Sequence, residues 1–527
     1  MPTDDDARLA KLLNAAEGPV TIPPGEYRLS GENPILLRSG AAVRAHGAHF
    51  HLPERMDDGA RAVLFTATDL TDFSWSGGHF VGHCFDHRRP DNAWAPNANT
   101  RVFAAGTSRG GATARLTFRD ITAERVAGAV VHVEGATRPG SERDVDTFAA
   151  GVTVEDCAFV DCGKFMWDYG LLWQILVWSE EYAPDDVAMA RRYFRNGLIR
   201  GVRMADGDDR VFYEGGEERP LPSRPADSPR GTLCFFDDTL PANVVRGKQY
   251  FIVGSGPGFV RIAESPGAPP LRFAGASGPE AKLIHDLWAA FYELYAPTGA
   301  GPGKGGVDLV GCRDVRVSGC RLSALGDTMH IQRSQGVVFA NNHITGSRMG
   351  AFFLAEFCKD ATVTGNIVEG TNGSRVMSVE KSCEDVTVVG NTFRGGGRGS
   401  WINQPRNLVL QGNLFVNNTT KGERDPWRGR RTFTGADAWQ RFPELYFTTH
   451  EPGATYGPAV MQGNVFETGP EADAALVFQE GARDVLVEGN VFHGATGRIV
   501  VPDEEGVTVG HNRGASVDVV PGFRNPA

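Results

Sequence analysis

The chain of 527 residues has no apolar run near the ~20 residues a membrane span needs. It has no surplus of positive charge: 53 Lys and Arg stand against 64 Asp and Glu, for a net charge of -11. That balance argues against nucleic acid as a partner, because phosphate binding needs a basic surface. None of the 8 cysteines forms a CxxC zinc spacing, so free, buried thiols are expected. The start, MPTDDDARLAKLL, is acidic and lacks the pattern of a signal peptide. The expectation is a cytoplasmic protein, or a secreted one whose signal has been removed. Oligomeric state is not legible.

What the chain does have is glycine, 66 of them with 31 prolines, and a repeat. VRVSGCRLSALGDTMHIQ, VVFANNHITGSRMGAFFLAE, ATVTGNIVEGTNGSRVMSVEK and VTVVGNTFRGGGRGSWINQ are near-copies. Each has a β-branched run, a Gly-Asn type turn, an apolar pair, a corner and a second short strand. Anchored on Cys320, Asn342, Asn366, Asn391 and Asn413, the steps are 22, 24, 25 and 22 residues. A period in this range is the signature of a solenoid. Three further coils are anchored on Asn464, Asn490 and Asn512.

In chain order, residues 1–18 read as a cap built on a short amphipathic helix over 4–16. Such a helix covers the open sheet edge of a first coil. Coils are expected over 19–163, 301–418 and 459–527. Between them lie an inserted mixed α/β subdomain, 164–300, and a long loop insertion, 419–458. Within 164–300, APDDVAMARRYFRNG and GPEAKLIHDLWAAFYELYAP are helix candidates, the second with Leu287, Phe291 and Tyr295 at helical spacing. The order of VTIPPGEYRLSG, ILLRSGAAVRAHGAHFHLP and DLTDFSWSGGHFVG resembles the opening of right-handed parallel β-helix proteins of the pectate-lyase-like superfamily. The expected fold is all-β, a parallel β-helix. Large insertions leave a solenoid on its binding face, so the two are expected to wall a groove.

Stacked coils superpose equivalent residues. Counting ten back from each Asn gives Gln332, Glu356, Lys381 and Asn403, a polar column, with Glu480 further on. Their neighbours Ile331, Ala355, Glu380 and Ile402 should point inward, while His330, Leu354, Val379 and Trp401 should share the outer face. Asp327 sits at the rim, and Arg333, Arg348, Arg375 and Arg398 lie at strand ends or corners. Acid, base, amide and indole together suit a sugar: Trp stacks on a pyranose, and amides, including Gln404, fix hydroxyls. Glu380, at an expected core position, must be paired or have a raised pKa if buried.

Two coil-level resemblances sharpen this. GDTMHIQRSQGVVFANN resembles the aspartate-bearing coil of family 28 glycoside hydrolases, with Asp327 matching the first Asp and Thr328 in place of the second. SVEKSCEDVTVVGNTF resembles a coil of family 6 polysaccharide lyases, with Lys381 matching the proton-abstracting lysine and Asn403-Gln404 in place of the Arg-His pair. The first implies a hydrolase or transglycosidase using Asp327 and Glu356, with Glu380 in reserve. The second implies β-elimination from a uronate by Lys381. A non-catalytic glycan-binding solenoid is the third reading. No resident cofactor is expected, although a structural or substrate-bridging Ca2+ is compatible with either chemistry. Other clusters are His79, His83, Cys84, Asp86 and His87, read as a loop beside the groove, and Asp206, Asp208, Asp209 and Glu214, read as a solvated turn. Asp237 and Asp238 are placed at the groove's border.

Overall fold

The computed structural model describes residues 5–15, 18–53, 61–82, 99–126, 128–139, 144–163, 198–218, 233–265, 267–285, 305–323, 328–347, 350–370, 375–397, 399–419, 443–449 and 453–521, with Leu221 and scattered residues between 176 and 191. Its dominant feature is three parallel sheets of 13, 12 and 13 strands, entered in the same order by successive coils, the last of which has no second-sheet strand. In one coil the strands are Gln335–Ala340 in the first sheet, His343–Ser347 in the second and Gly350–Ala355 in the third. This is a parallel β-helix.

The Gly-Asn turns explain the winding. Gly365, Gly390 and Gly412 take φ near +65°, a left-handed corner that costs glycine nothing and turns the chain from the first sheet into the second. The following Asn points into the coil. Asn391 Oδ1 accepts from Asn366 N at 2.9 Å and Asn366 Nδ2 at 2.9 Å, while its own Nδ2 donates to Val363 O at 2.9 Å and Asn413 Oδ1 at 3.0 Å. The same ladder runs from Asn342 to Asn512. Earlier coils put Cys320 and Cys157 at this corner, each thiol directed at a carbonyl of the preceding coil. All seven cysteines among the described residues are free and buried, as expected; Cys84 lies outside them. Between the ladders lies a core of stacked side chains, such as Phe393, Phe415, Phe466 and Phe492 at centroid spacings of 5.2, 4.8 and 5.0 Å.

The helix Asp5–Ala15 buries Leu9 and Leu13 in the core of the first coils. Its first-turn acids do more than favour the helix dipole. Asp5 Oδ2 accepts from Arg28 N at 2.7 Å and Asp6 Oδ2 from Ser30 N at 3.1 Å, so both carboxylates take up backbone donors of the first coil.

By compactness the chain divides into residues 1–167, 301–424 and 431–527 as one unit and 168–300 with 425–430 as another. The coils are continuous across the larger insertion: Ala149–Glu155 pairs with Cys312–Ser318, and Ala129–Glu134 with Gly306–Val310. The segment read as one long loop contains a third-sheet strand, Leu445–Thr448, paired with Ser400–Asn403 and Leu476–Phe478. The second unit, among its described residues, holds two three-stranded antiparallel sheets and its own apolar core. Lys282–His285, read as part of a helix, is a central strand between Leu198–Ile199 and Leu233–Phe236. Leu287, Phe291 and Tyr295 lie outside the described residues.

Candidate functional site on the third sheet

Successive coils differ most where the second sheet passes into the third. Both insertions leave the coil there, after Ala158–Val160 and after Leu414–Val416. The outer face of the third sheet therefore begins at the corner that carries the long connections.

Three neighbouring strands on that face carry His132, Asp308 and His330 in register. Asp308 accepts from His132 Nδ1 at 2.9 Å and from His330 Nδ1 at 3.1 Å. All three are buried. Burial alone would raise the Asp308 carboxyl, but the two imidazoles outweigh it and hold it well below the usual carboxylate range. Burial opposes a charge on His132, yet the hydrogen bonds to Asp308 and Glu134 raise its pKa overall. His132 Nε2 stands 3.4 Å from Glu134, which that imidazole holds low, and Arg101 is within electrostatic reach of Asp308 and Glu134.

The polar column counted from the sequence follows on the C-terminal side. Backbone hydrogen bonds run from Arg333 N to Glu356 O, Phe357 N to Lys381 O and Ser382 N to Asn403 O, so Glu356, Lys381 and Asn403 are equivalent corner positions. Gln332 Nε2 donates to Glu356 Oε2 at 2.7 Å, and the Lys381 ammonium donates to Glu356 Oε1. Burial raises the Glu356 carboxyl, but Lys381, Gln332 and Arg333 together overcome it and lower its pKa.

The strand neighbours do not follow the count. Ile331 pairs with Leu354 and Leu354 with Val379, all three fully buried, so Leu354 and Val379 point inward. Glu380 is half-buried and belongs to the corner, not to the core. The cause is one extra residue in two corners. Arg333 and Gln404 each turn with a single left-handed residue, whereas Glu356-Phe357 and Lys381-Ser382 use two in succession.

Trp401 is 8 % exposed, not an open platform. The Arg375 guanidinium lies 4.6 Å from its ring centroid and Tyr446 stacks at 6.4 Å, so its ring is occupied by protein. Arg375 Nη2 also donates to the Tyr446 hydroxyl at 3.0 Å. Asn403 is fully buried rather than exposed, and shares Thr448 Oγ1 with Trp401 Nε1 at 2.8 and 2.6 Å. His330, expected on the open face, is sunk beside Asp308. Gln404 is a half-buried corner residue. Asp327, Arg348 and Arg398 lie outside the described residues.

Residues 298–435 match the family model of the right-handed β-helix region. No curated protein matches the chain in sequence. Similar solved structures include the A-module of mannuronan C-5 epimerase AlgE6 from Azotobacter vinelandii, at 11 % identity over 98 % of this chain and 96 % of that one, with a TM-score of 0.47. The surface protein and adhesin PfbA of Streptococcus pneumoniae gives 10 % identity over 99 % and 95 %, with a TM-score of 0.46. The tailspike of E. coli bacteriophage HK620, solved with a pentasaccharide, gives 10 % over 95 % and 67 %, with a TM-score of 0.45. Likenesses of this size leave the chemistry to be argued from the residues.

The sequence reading missed Arg101, His132, Glu134 and Asp308. A signal was present: VVHVEG, GVDLVG and MHIQ align His132, Asp308 and His330 once the strand before the corner is used as the anchor. Of the other clusters, His79 meets Glu124 at 3.4 Å and packs against His49, while His83, Cys84, Asp86 and His87 lie outside the described residues. Asp208 pairs with Arg210 and Asp209 with Arg261, and Asp206 accepts from Gly275 N. Asp237 pairs with Lys282, and Asp238 accepts from Glu280 N. No group of three or more ligating side chains that could hold a metal ion occurs among the described residues.

Proposed function

We propose that this protein is a carbohydrate-active enzyme that acts on a uronate-containing poly- or oligosaccharide along the third sheet, by proton abstraction at His330 and β-elimination. The observation that carries the reading is the buried Asp308 between two imidazoles. A carboxylate on Nδ1 fixes the tautomer and leaves Nε2 as the nitrogen that exchanges protons. As a base His330 acts in its neutral form, with Nδ1 held by Asp308 and Nε2 turned to the proton it takes. His330 takes the C5 proton of a uronate, the electron pair forms the C4–C5 double bond, and the C4–O bond breaks with the leaving oxygen taking up a proton from the imidazolium so formed or from water. Arg375 on the same sheet and Lys381 at its corner, beside Glu356, supply positive charge for the sugar carboxylate.

The alternatives use residues held differently. Lys381 donates to Glu356, so the amine is engaged as an ammonium and is better suited to binding an anion than to taking a proton. A hydrolase built on Asp327 and Glu356 would use Glu356 as base or nucleophile, since its lowered pKa is wrong for the acid.

The test is a panel of alginate, pectate, hyaluronan, chondroitin and neutral glucans, followed by ultraviolet absorbance and mass spectrometry, with and without a chelator to expose any calcium requirement. An unsaturated product that disappears in His330→Ala supports the proposal. Products heavier by one water per cleavage, lost in Glu356→Gln, favour the hydrolase. Retention of a glycan without product leaves a binding solenoid.

A further inference from the structure

Corners after the third sheet are short in most coils, as from Gln332 to Gln335. The corner after Ala129–Glu134 is among those that depart from this. After Ala129–Glu134 the chain forms an antiparallel hairpin, Ala136–Thr137 with Val145–Thr147, before the first sheet resumes at Ala149. The hairpin is tied down. Arg109 Nε reaches Asp146 Oδ2 at 3.4 Å, and Gly110 N donates to Thr147 Oγ1 at 3.0 Å. Val145 packs over Gly311, where a Cβ would meet its methyl groups at 3.1 and 3.2 Å.

Between hairpin and corner lies a cleft of ≈ 330 Å³, lined by Arg138, Asp144, Phe148, Arg333, Gln335 and Phe357 among others. Phe148 is steadied by the Arg313 guanidinium, 4.6 Å from its centroid. Arg333 Nε is buried and has no hydrogen-bond partner among the described residues. A buried donor left unsatisfied is destabilising, more so when charged, unless a ligand completes it. Arg138 Nη1 stands 3.7 Å from Asp144, an ion pair longer than a hydrogen bond. Among the described lining residues, the guanidinium groups of Arg138 and Arg333 and the carboxyl of Asp144 are the charged groups. The rings of Phe148 and Phe357 offer apolar surface beside them.

We propose that this cleft is a subsite for a sugar bearing a single anionic group, a carboxylate or a sulfate ester, gripped by Arg138 and Arg333. The proposal rests on the glycan reading of the third sheet and adds to it the place where charge on the chain is recognised. Guanidinium groups suit either anion through paired N–H donors.

The experiment titrates the full chain with methyl glucuronoside, glucose 6-sulfate and neutral methyl glucoside by calorimetry and ligand-observed NMR. Both or one of the anionic sugars should bind, the tighter naming the group recognised, while the neutral sugar should bind at least about tenfold more weakly. Arg333→Gln and Arg138→Gln should each weaken the anionic sugar about tenfold or more, and Arg115→Gln, an exposed arginine paired with Asp72 on the first sheet, should leave it unchanged. Arg138 is exposed on the hairpin, so its variant reports binding without disturbing a coil. Equal binding of charged and neutral sugars, parental affinity in both arginine variants, or no binding overturns the proposal. Arginine-dependent binding with no product from any polysaccharide would retire the enzyme reading and leave the subsite standing.

Discussion

Two polar columns run along this solenoid, and they differ in how well their atoms are satisfied. In the asparagine ladder every amide is used: Asn342, Asn366, Asn391, Asn413, Asn464 and Asn490 each accept from the preceding coil and donate both ways. On the third sheet and its corner, Arg333 Nε, Ser378 Oγ, Ser400 Oγ and Asn403 Oδ1 are buried without a partner among the described residues. One column repeats a single residue type and closes its hydrogen bonds internally. The other mixes imidazole, carboxylate, amide, indole and guanidinium and leaves bonds to be made. The first arrangement holds coils at a fixed spacing; the second holds chemistry.

The largest effect should come from the third sheet. His330→Ala removes the proposed base and should lower the rate on a product-forming glycan by about 10²–10⁴-fold. Asp308 keeps His132 as its partner, so the fold should survive. Steady-state kinetics with circular dichroism checks this. A variant with parental turnover would make the His132–Asp308–His330 group a structural feature like the ladder.

The next effect belongs to the ladder. Asn391→Ala leaves Asn366 N without an acceptor, Asn366 Nδ2 with Phe339 O alone, and Val363 O and Asn413 Oδ1 short of a donor. With about 1–3 kcal/mol for the one backbone donor left unsatisfied and a smaller loss at the other groups, destabilisation of roughly 2–3 kcal/mol follows. Urea unfolding measures it. A loss below about 1 kcal/mol would mean that the stacked sheets, not the amides, fix the corner.

A third test uses another corner, from the second sheet into the third, where Asn418 meets a carboxyl instead of an amide. Glu444 is fully buried and accepts from Asn418 N at 2.9 Å and Asn418 Nδ2 at 2.6 Å. Burial pushes its pKa from 4.5 up to about 8. The folded state therefore binds the proton more tightly than the unfolded one. This contribution to stability is complete below the unfolded value and declines as pH rises, by up to about 1.4 kcal/mol per unit, until it is lost near the folded value. Glu444→Gln keeps an uncharged acceptor and should not show this decline. Melting of parent and variant between pH 4 and 9 should give curves that diverge in the variant's favour toward pH 8. Parallel curves would show that Glu444 is solvated.

How much of this was legible follows from where each signal lies. The coil was readable because Gly-Asn must recur wherever a left-handed residue precedes an inward amide. The column of Gln332, Glu356 and Lys381 was readable for the same reason, since corner carbonyls keep the ladder's register. The extra corner residue at Glu356-Phe357 was not, because two consecutive left-handed residues there are neither glycine nor asparagine. Asp308 was hidden by the insertion separating its strand from that of His132, and by the lack of an Asn anchor in those coils. The burial of Trp401 depends on Arg375 and Tyr446 from neighbouring coils, which spacing alone does not bring over the ring.

The smallest expected effect sharpens the comparison most. Ser378 lies in register between Phe353 and Trp401 on the third sheet, fully buried, with a hydroxyl that has no partner among the described residues. Ser378→Ala removes an oxygen that makes no bond and relieves its desolvation, at the cost of a very small void. Stability should change by less than about 0.5 kcal/mol, or rise. A ladder asparagine and this serine are equally buried, so the difference between their substitutions measures satisfaction rather than burial. If Ser378→Ala instead costs more than about 1 kcal/mol in urea unfolding, its hydroxyl is bonded in solution. The third sheet's polar column would then be as structural as the asparagine ladder, and the contrast between them would fail.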